Sequence, residues 1–164
     1  MATQTALITG ASAGIGRELA KLFAADRFNL VLVARHGKRL AQFADELERQ
    51  FGISAPSFPL DLTSPSAPQF LLDQLTRQEV AIDVLVNNAG YGMRGAFAEV
   101  ANEETLGQIQ LNITALTHLT KLFLQPMLHR GSGKILNVAS TAGFQPGSAD
   151  GGLLCDESLC NFFF

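Results

Sequence analysis

The sequence predicts an α/β protein with a doubly wound parallel sheet, and three observations carry that expectation. Short, nearly continuous apolar runs alternate with amphipathic helical stretches, as strands buried on both faces require. The first run, Thr5-Ala6-Leu7-Ile8-Thr9, leads straight into a glycine-rich turn and a helix start. Finally, the residues that follow the runs (10–16, 35, 61–62, 87–90 and 140) are small, polar or charged, apart from Ile15 and Leu62. Ligands of such sheets bind outside the carboxyl ends of the strands, which is where these residues fall.

Each element can be justified in turn. Residues 17–25 form an amphipathic helix after the glycine turn, and 29–34 (Asn-Leu-Val-Leu-Val-Ala) form a second buried strand. A charged helix over 38–51 carries Leu40, Phe43, Leu47 and Phe51 at helical spacing. A weaker strand is expected over 55–60, where Pro59 points to an edge or irregular position. A helix over 65–77 is entered through Ser64-Pro65, and 82–86 (Ile-Asp-Val-Leu-Val) form the fourth strand. One long helix is expected over 103–128, and the fifth strand over 134–138. There is no internal repeat, linker or low-complexity tract, so residues 1–147 read as one domain.

Composition narrows the function classes. Apolar residues at 47% and charged residues at 16% describe a chain with ample material for a core rather than a disordered one. A net charge of −3 gives no support for nucleic acid or an anionic membrane surface as partner. Met1-Ala2-Thr3-Gln4 lacks the basic region of a signal peptide, and no apolar run approaches bilayer length, so the expected location is the cytoplasm. Cys155 and Cys160 have neither the spacing nor the neighbouring histidine of a metal pair, and no metal is expected.

The glycine turn suggests the first chemistry. Strand, glycine turn and helix start together hold a pyrophosphate on backbone N–H groups at a helix N-terminus. Gly10 lets the chain leave the strand tightly, Gly14 removes a side chain where a phosphate would approach, and Gly16 lets the helix pack closely.

Taken with Asp61-Leu62, Asn87-Asn88-Ala89-Gly90, Asn112 and Ser140, the segment Thr9-Gly10-Ala11-Ser12-Ala13-Gly14-Ile15-Gly16 resembles the short-chain dehydrogenase/reductase family. The resemblance covers residues 5 to about 147, and the glycine spacing is that family's. It implies a Rossmann-type sheet and an NAD(P)-dependent oxidoreductase that transfers hydride between cofactor and a small carbonyl or alcohol substrate. By that resemblance Gly10, Ser12, Ala13, Gly14, Ile15 and Gly16 cradle the cofactor, and Asp61 and Leu62 sit by the adenine. Asn88, Ala89 and Gly90 line the ribose and the floor of the site. Ser140 bonds the substrate oxygen, and Asn112 holds a water of the proton relay. The long helix around Asn112 contributes to a subunit interface, so the full-length protein is expected to be a homo-oligomer. Met93 and Phe97 lie near the expected pocket, with core packing the expected role of Phe97.

One position speaks to cofactor choice. An acidic residue after the second strand would bond the ribose 2′-hydroxyl and repel a 2′-phosphate. Here Arg35 stands after Val33-Ala34, followed by His36, Lys38 and Arg39. A guanidinium grips a phosphate bidentately and stacks on adenine, so NADP(H) is favoured over NAD(H).

The chain also departs from the family. The catalytic tyrosine, followed four residues later by a lysine, has no counterpart: the single tyrosine is Tyr91, and position 95 is Gly95. Residues 148–164 follow none of the earlier periodicity. Back-translated with permitted codons and shifted by one base, they read with a tyrosine in the place of Leu153 and a lysine in the place of Glu157. A frameshift near Gly147 is therefore expected, leaving the sheet incomplete on its C-terminal side with an exposed edge. Two alternatives to an enzyme stand beside this reading, a non-catalytic nucleotide-binding module and a non-functional truncated product.

Overall fold

The computed structural model describes residues 3–93 and 98–140. Among them five parallel strands form one sheet in the order β3-β2-β1-β4-β5: β1 Thr5–Thr9, β2 Asn29–Ala34, β3 Ser57–Pro59, β4 Val84–Asn87 and β5 Lys134–Asn137. The chain moves outward from β1 to β2 and β3, then returns to β1's other side for β4 and β5. The strand order therefore reverses between β1 and β4. Such a reversal opens a crevice at the strands' carboxyl ends, because the flanking connections leave in opposite directions.

The two-residue period of a strand sorts the apolar runs into two layers. Ala6, Ile8, Leu30, Leu32, Val84 and Val86 pack on one face with Ala20 and Ala24 of helix α1 (Gly14–Ala25) and Leu40, Phe43 and Leu47 of α2 (Gly37–Phe51). Leu7, Val31, Val33 and Leu85 pack on the other face. There they meet Leu71 and Leu75 of α3 (Ala67–Arg77), Leu111 and Ala115 of a wide π-turn (Gln110–Ala115) that follows α4 (Asn102–Ile109), and Leu119, Phe123 and Met127 of α5 (Leu116–Arg130). The α1–α2 layer is further tied by the Arg17 guanidinium, which lies 4.5 Å above the Phe43 ring and pairs with Glu46 at 3.1 Å.

The expected elements are all present among the described residues, with revised bounds. Helix α1 begins at Gly14 rather than 17, because the last glycines of the turn already belong to its first turn. Strand β3 is shorter than 55–60 and ends at Pro59 on the sheet's edge, as a residue without an N–H requires. The single long helix expected over 103–128 is corrected to two α-helices joined by the π-turn, with Asn112 inside it. A π-turn widens the helix by one residue and typically re-aims a side chain. Here the Asn112 amide turns to the backbone of Tyr91, with its Oδ1 accepting from the Tyr91 N–H at 3.2 Å and its Nδ2 donating to the Tyr91 carbonyl at 2.9 Å. Residues 148–164, with Cys155, Cys160 and the proposed frameshift, lie outside the described residues, as does Phe97.

Candidate dinucleotide site

A cavity of about 700 Å³ opens at the carboxyl ends of the strands, across the β1/β4 reversal. That is within the size range of small-molecule and cofactor pockets, roughly 300–1,000 Å³. Gly10, Ser12, Ala13, Gly14 and Ile15 line it after β1, Arg35 after β2, and Asp61 and Leu62 after β3. Asn88, Ala89 and Gly90 line it after β4, Asn112 from the π-turn, and Ser140 after β5. Gly16 is not in the lining. It stands behind the turn, where a Cβ would overlap the Asn88 amide and the Gly10 carbonyl oxygen. Its absent side chain serves the packing of α1 against the turn.

The turn is built so that backbone faces the cavity. Gly10 has φ +68°, and a Cβ there would come within 2.7 Å of Asn88 Nδ2. Gly14 has φ +55° with open space beside it, so the conformation itself calls for glycine. Helix α1 begins there with Ala13 at its N-cap, without a side-chain cap and without an acidic residue in its first turn. Its positive dipole end and N–H groups thus face the cavity uncompensated by protein charge, which suits an anion.

Thr9 fixes this turn to the loop after β4. Its buried hydroxyl donates to the Val86 carbonyl at 3.2 Å and accepts from the Asn88 and Ala89 N–H groups, both at 2.9 Å. The Asn88 amide returns the link, donating to the Thr9 carbonyl at 2.9 Å and the Gly10 carbonyl at 3.4 Å. Thr9 was not singled out by its sequence; the available signal is a hydroxyl closing an otherwise apolar strand directly before a glycine turn.

One end of the cavity is basic. Arg35, His36 and Arg39 all line it, whereas Lys38 does not. Arg39, which a solvated helix start would also explain, therefore joins Arg35 at the site. Asp61 lies at the same end. The Thr63 N–H at 3.0 Å, helped by the Thr63 hydroxyl at 2.8 Å and the Arg35 charge, holds its carboxyl below its ordinary value against the opposing effect of partial burial.

The other end gathers Tyr91, Asn112, Leu116, Val138, Ala139 and Ser140. The Tyr91 hydroxyl donates to the Glu104 carbonyl at 3.4 Å and lies over Gly107, where a Cβ would stand 2.8 Å from the hydroxyl oxygen and displace it. Met93 does not line the cavity. Among the described residues no group of three or more His, Cys, Asp or Glu side chains is placed to hold a metal.

The short chain dehydrogenase family model matches residues 4–151, nine-tenths of the sequence. The chain belongs to that family. Among its relatives is the ketoacyl reductase HetN of a Nostoc species, 37% identical over 140 residues that cover 85% of this chain and 48% of the relative. A very-long-chain 3-oxoacyl-CoA reductase of Laccaria bicolor is 34% identical over 143 residues, 86% of this chain and 42% of that protein. In three dimensions the chain is similar to a short-chain dehydrogenase from Sphingobium yanoikuyae, solved in complex with NADPH, with a TM-score of 0.91 and 35% identity over 97% of this chain and 62% of that one. It is equally similar to a bulky-bulky ketone specific alcohol dehydrogenase from Comamonas testosteroni, with a TM-score of 0.91 and 32% identity over 99% of this chain and 65% of that one. The chain thus spans about half the length of the curated relatives it matches and two thirds or less of these solved structures.

Proposed function

We propose that this chain is the cofactor-binding part of an NADP(H)-dependent oxidoreductase acting on a small carbonyl or alcohol substrate. The observation that carries the reading is the single cavity face on which an uncapped helix start, a basic end and Ser140 come together. The ketoacyl and ketone substrates named for relatives support a carbonyl class. A nicotinamide bound there supplies or accepts the hydride.

The chain's own residues divide the remaining work. Backbone N–H groups of the 10–16 turn hold the pyrophosphate, and Arg35 with Arg39 hold the 2′-phosphate. Asp61 and Leu62 border the adenine, and Asn88, Ala89 and Gly90 the ribose and the floor. Ser140 donates to the substrate oxygen and stabilises charge that develops on it. Asn112, its amide engaged with the Tyr91 backbone, sits at the π-turn where a relay water would be held. The proposed place of action is the cytoplasm; among the described residues no helix is long and apolar enough to cross a membrane. Full-length copies pair through α4 and α5, where Leu106 and Leu128 stand exposed.

The acid–base pair is the missing part. The one tyrosine in the sequence has its hydroxyl on the Glu104 carbonyl, and Gly95 stands where the paired lysine would be. We attribute this to a frameshift near Gly147, and expect turnover of this chain to fall short by the roughly 10²- to 10⁴-fold that general acid catalysis contributes. The same tyrosine geometry favours one other reading, a nucleotide-binding module without catalysis.

Titrating the chain with NADPH and NADH, followed by cofactor fluorescence, tests the cofactor assignment. The expected result is tighter binding of NADPH by roughly 10- to 150-fold, the value of a charge-assisted contact to the 2′-phosphate. Equal affinities would remove the NADP preference. A chain that melts cooperatively yet binds neither nucleotide would overturn the functional reading as a whole. Restoring the reading frame separates enzyme from module, because only the former then reduces carbonyls with NADPH.

A further inference from the structure

At the end of β4 two neighbouring asparagines both line the cavity but are bonded to different parts of the molecule. Asn88 is bound to Thr9 and Gly10, at the phosphate end. Asn87, 3% exposed, is bound to the opposite side. Its Nδ2 donates to Thr120 Oγ1 of α5 at 3.0 Å and to Asn137 Oδ1 of β5 at 2.9 Å. Its carbonyl accepts the Val138 N–H at 2.9 Å. Asn87 and Asn137 stand directly opposite in the β4–β5 register, so main chain and side chain clamp the same point. Two residues beyond Val138 the chain reaches Ser140 at the cavity.

Fold stability alone does not account for this cluster. Asn87 Oδ1 is buried without a hydrogen-bond partner among the described residues. A buried acceptor left unpaired costs stability that an apolar residue of similar volume would not. What the polar cluster supplies is direction, since hydrogen bonds from a helix, a central strand and an edge strand meet at one amide. β5, at the sheet's edge among the described residues, needs it most: none of its four residues is buried, whereas all four β4 residues are.

We infer that Thr120 and Asn137, acting through Asn87, are positioning residues that fix the exit of β5, and with it Ser140, against the cofactor-side loop at 88–90. The inference rests on the proposed oxidoreductase reading for its purpose, and on the hydrogen-bond geometry for its existence.

The full chain tests it with Thr120→Val, which keeps the shape and removes the hydroxyl, and Thr120→Ser, which keeps the hydroxyl. Without cofactor, amide hydrogen exchange at Val138 should rise about 2- to 10-fold in Thr120→Val, the worth of one hydrogen bond, leave Ile8 of β1 unchanged, and return to the parent rate in Thr120→Ser. With NADPH bound, Thr120→Val should lower the emission of the bound dihydronicotinamide while the Kd, set by the phosphate end, stays within about twofold. Exchange that rises uniformly over all strands, or does not rise at Val138, overturns the inference. So does a Kd that weakens in parallel with the emission. Asn137→Ser, read in the same way, serves if Thr120→Val does not fold. Failure of the parent chain to bind NADPH overturns the oxidoreductase reading alone, because the exchange measurement contains no cofactor.

Discussion

The two ends of the cavity rest on supports of different strength. The phosphate end hangs from β1 and β2, where all five residues of β1 and five of the six in β2 are buried and helices cover both faces. The end that carries Ser140 hangs from β5, whose alternating residues are exposed or half-buried and which pairs, among the described residues, only with β4. The glycine turn built on the first support is held by apolar packing on both faces of the sheet. Ser140, carried by the second, follows a strand held by directed hydrogen bonds at Asn87. The distinction matters for function, because binding tolerates small displacements that chemistry at the reacting atoms does not.

The sharpest way to break the comparison is to truncate a leucine on each support. Leu32 in β2 is wholly buried, and Leu32→Ala should cost about 2–5 kcal/mol in urea unfolding, the range for a core leucine that leaves a cavity. Leu136 in β5 is 42% exposed, and Leu136→Ala should stay within about 0.5 kcal/mol. Similar losses at the two positions would mean that β5 is covered as well as β2 and that the two supports do not differ.

A cut at the joint between the ends comes next. Thr9→Val removes the hydroxyl that accepts from the Asn88 and Ala89 N–H groups and leaves both without that partner. An orphaned buried donor costs roughly 1–3 kcal/mol, so the loss should be clear in the unfolding midpoint and should carry nucleotide affinity down with it. Thr9→Ser should preserve both. A valine variant as stable as the parent would show that the glycine turn is held by something other than this hydroxyl.

These two experiments also mark what sequence made legible. Short apolar runs alternating with amphipathic stretches point to strands covered on both faces, so the parallel sheet was legible from pattern, whereas the strand order and register came only with the structure. The glycine turn and the residues after each strand were legible for the same reason, since a parallel sheet puts them all at one edge. The role of Thr9 and the bonding of Asn112, itself a candidate residue from the sequence, escaped because their partners are backbone groups 79 and 21 residues away. Nothing in local periodicity records such a bond, and the π-turn that Asn112 occupies reads as ordinary helix. Arg39 escaped for another reason: a cation in the first turns of an exposed helix looks the same whether it faces solvent or a cavity.

The basic end provides a smaller, purely functional contrast. Arg35→Asp should weaken NADPH by roughly 10- to 150-fold while leaving NADH equal or better, with only a slight loss of stability, since Arg35 is exposed and the charge it loses acts on Asp61. Isothermal titration with both nucleotides decides it, and an unaltered preference would place the 2′-phosphate on Arg39 or elsewhere.

The smallest effect expected is electrostatic and lies at Asp61. Its folded carboxyl titrates below the ordinary value of 3.8, held there by the Thr63 N–H and hydroxyl and by Arg35. A folded pKa depressed below the unfolded one contributes stability that is fully present above the unfolded value and is lost as pH falls through the folded one. Asp61→Asn retains an oxygen for the Thr63 bonds and removes only the charge. The Tm difference between parent and variant should therefore be constant from neutral pH down to about pH 5, shrink through the range near and below 3.8, and vanish in stronger acid. The group is exposed, so the difference should be small and should diminish with added salt. A difference that persists unchanged in strong acid would assign the contribution of Asp61 to the shape of the 61–63 turn instead of its charge.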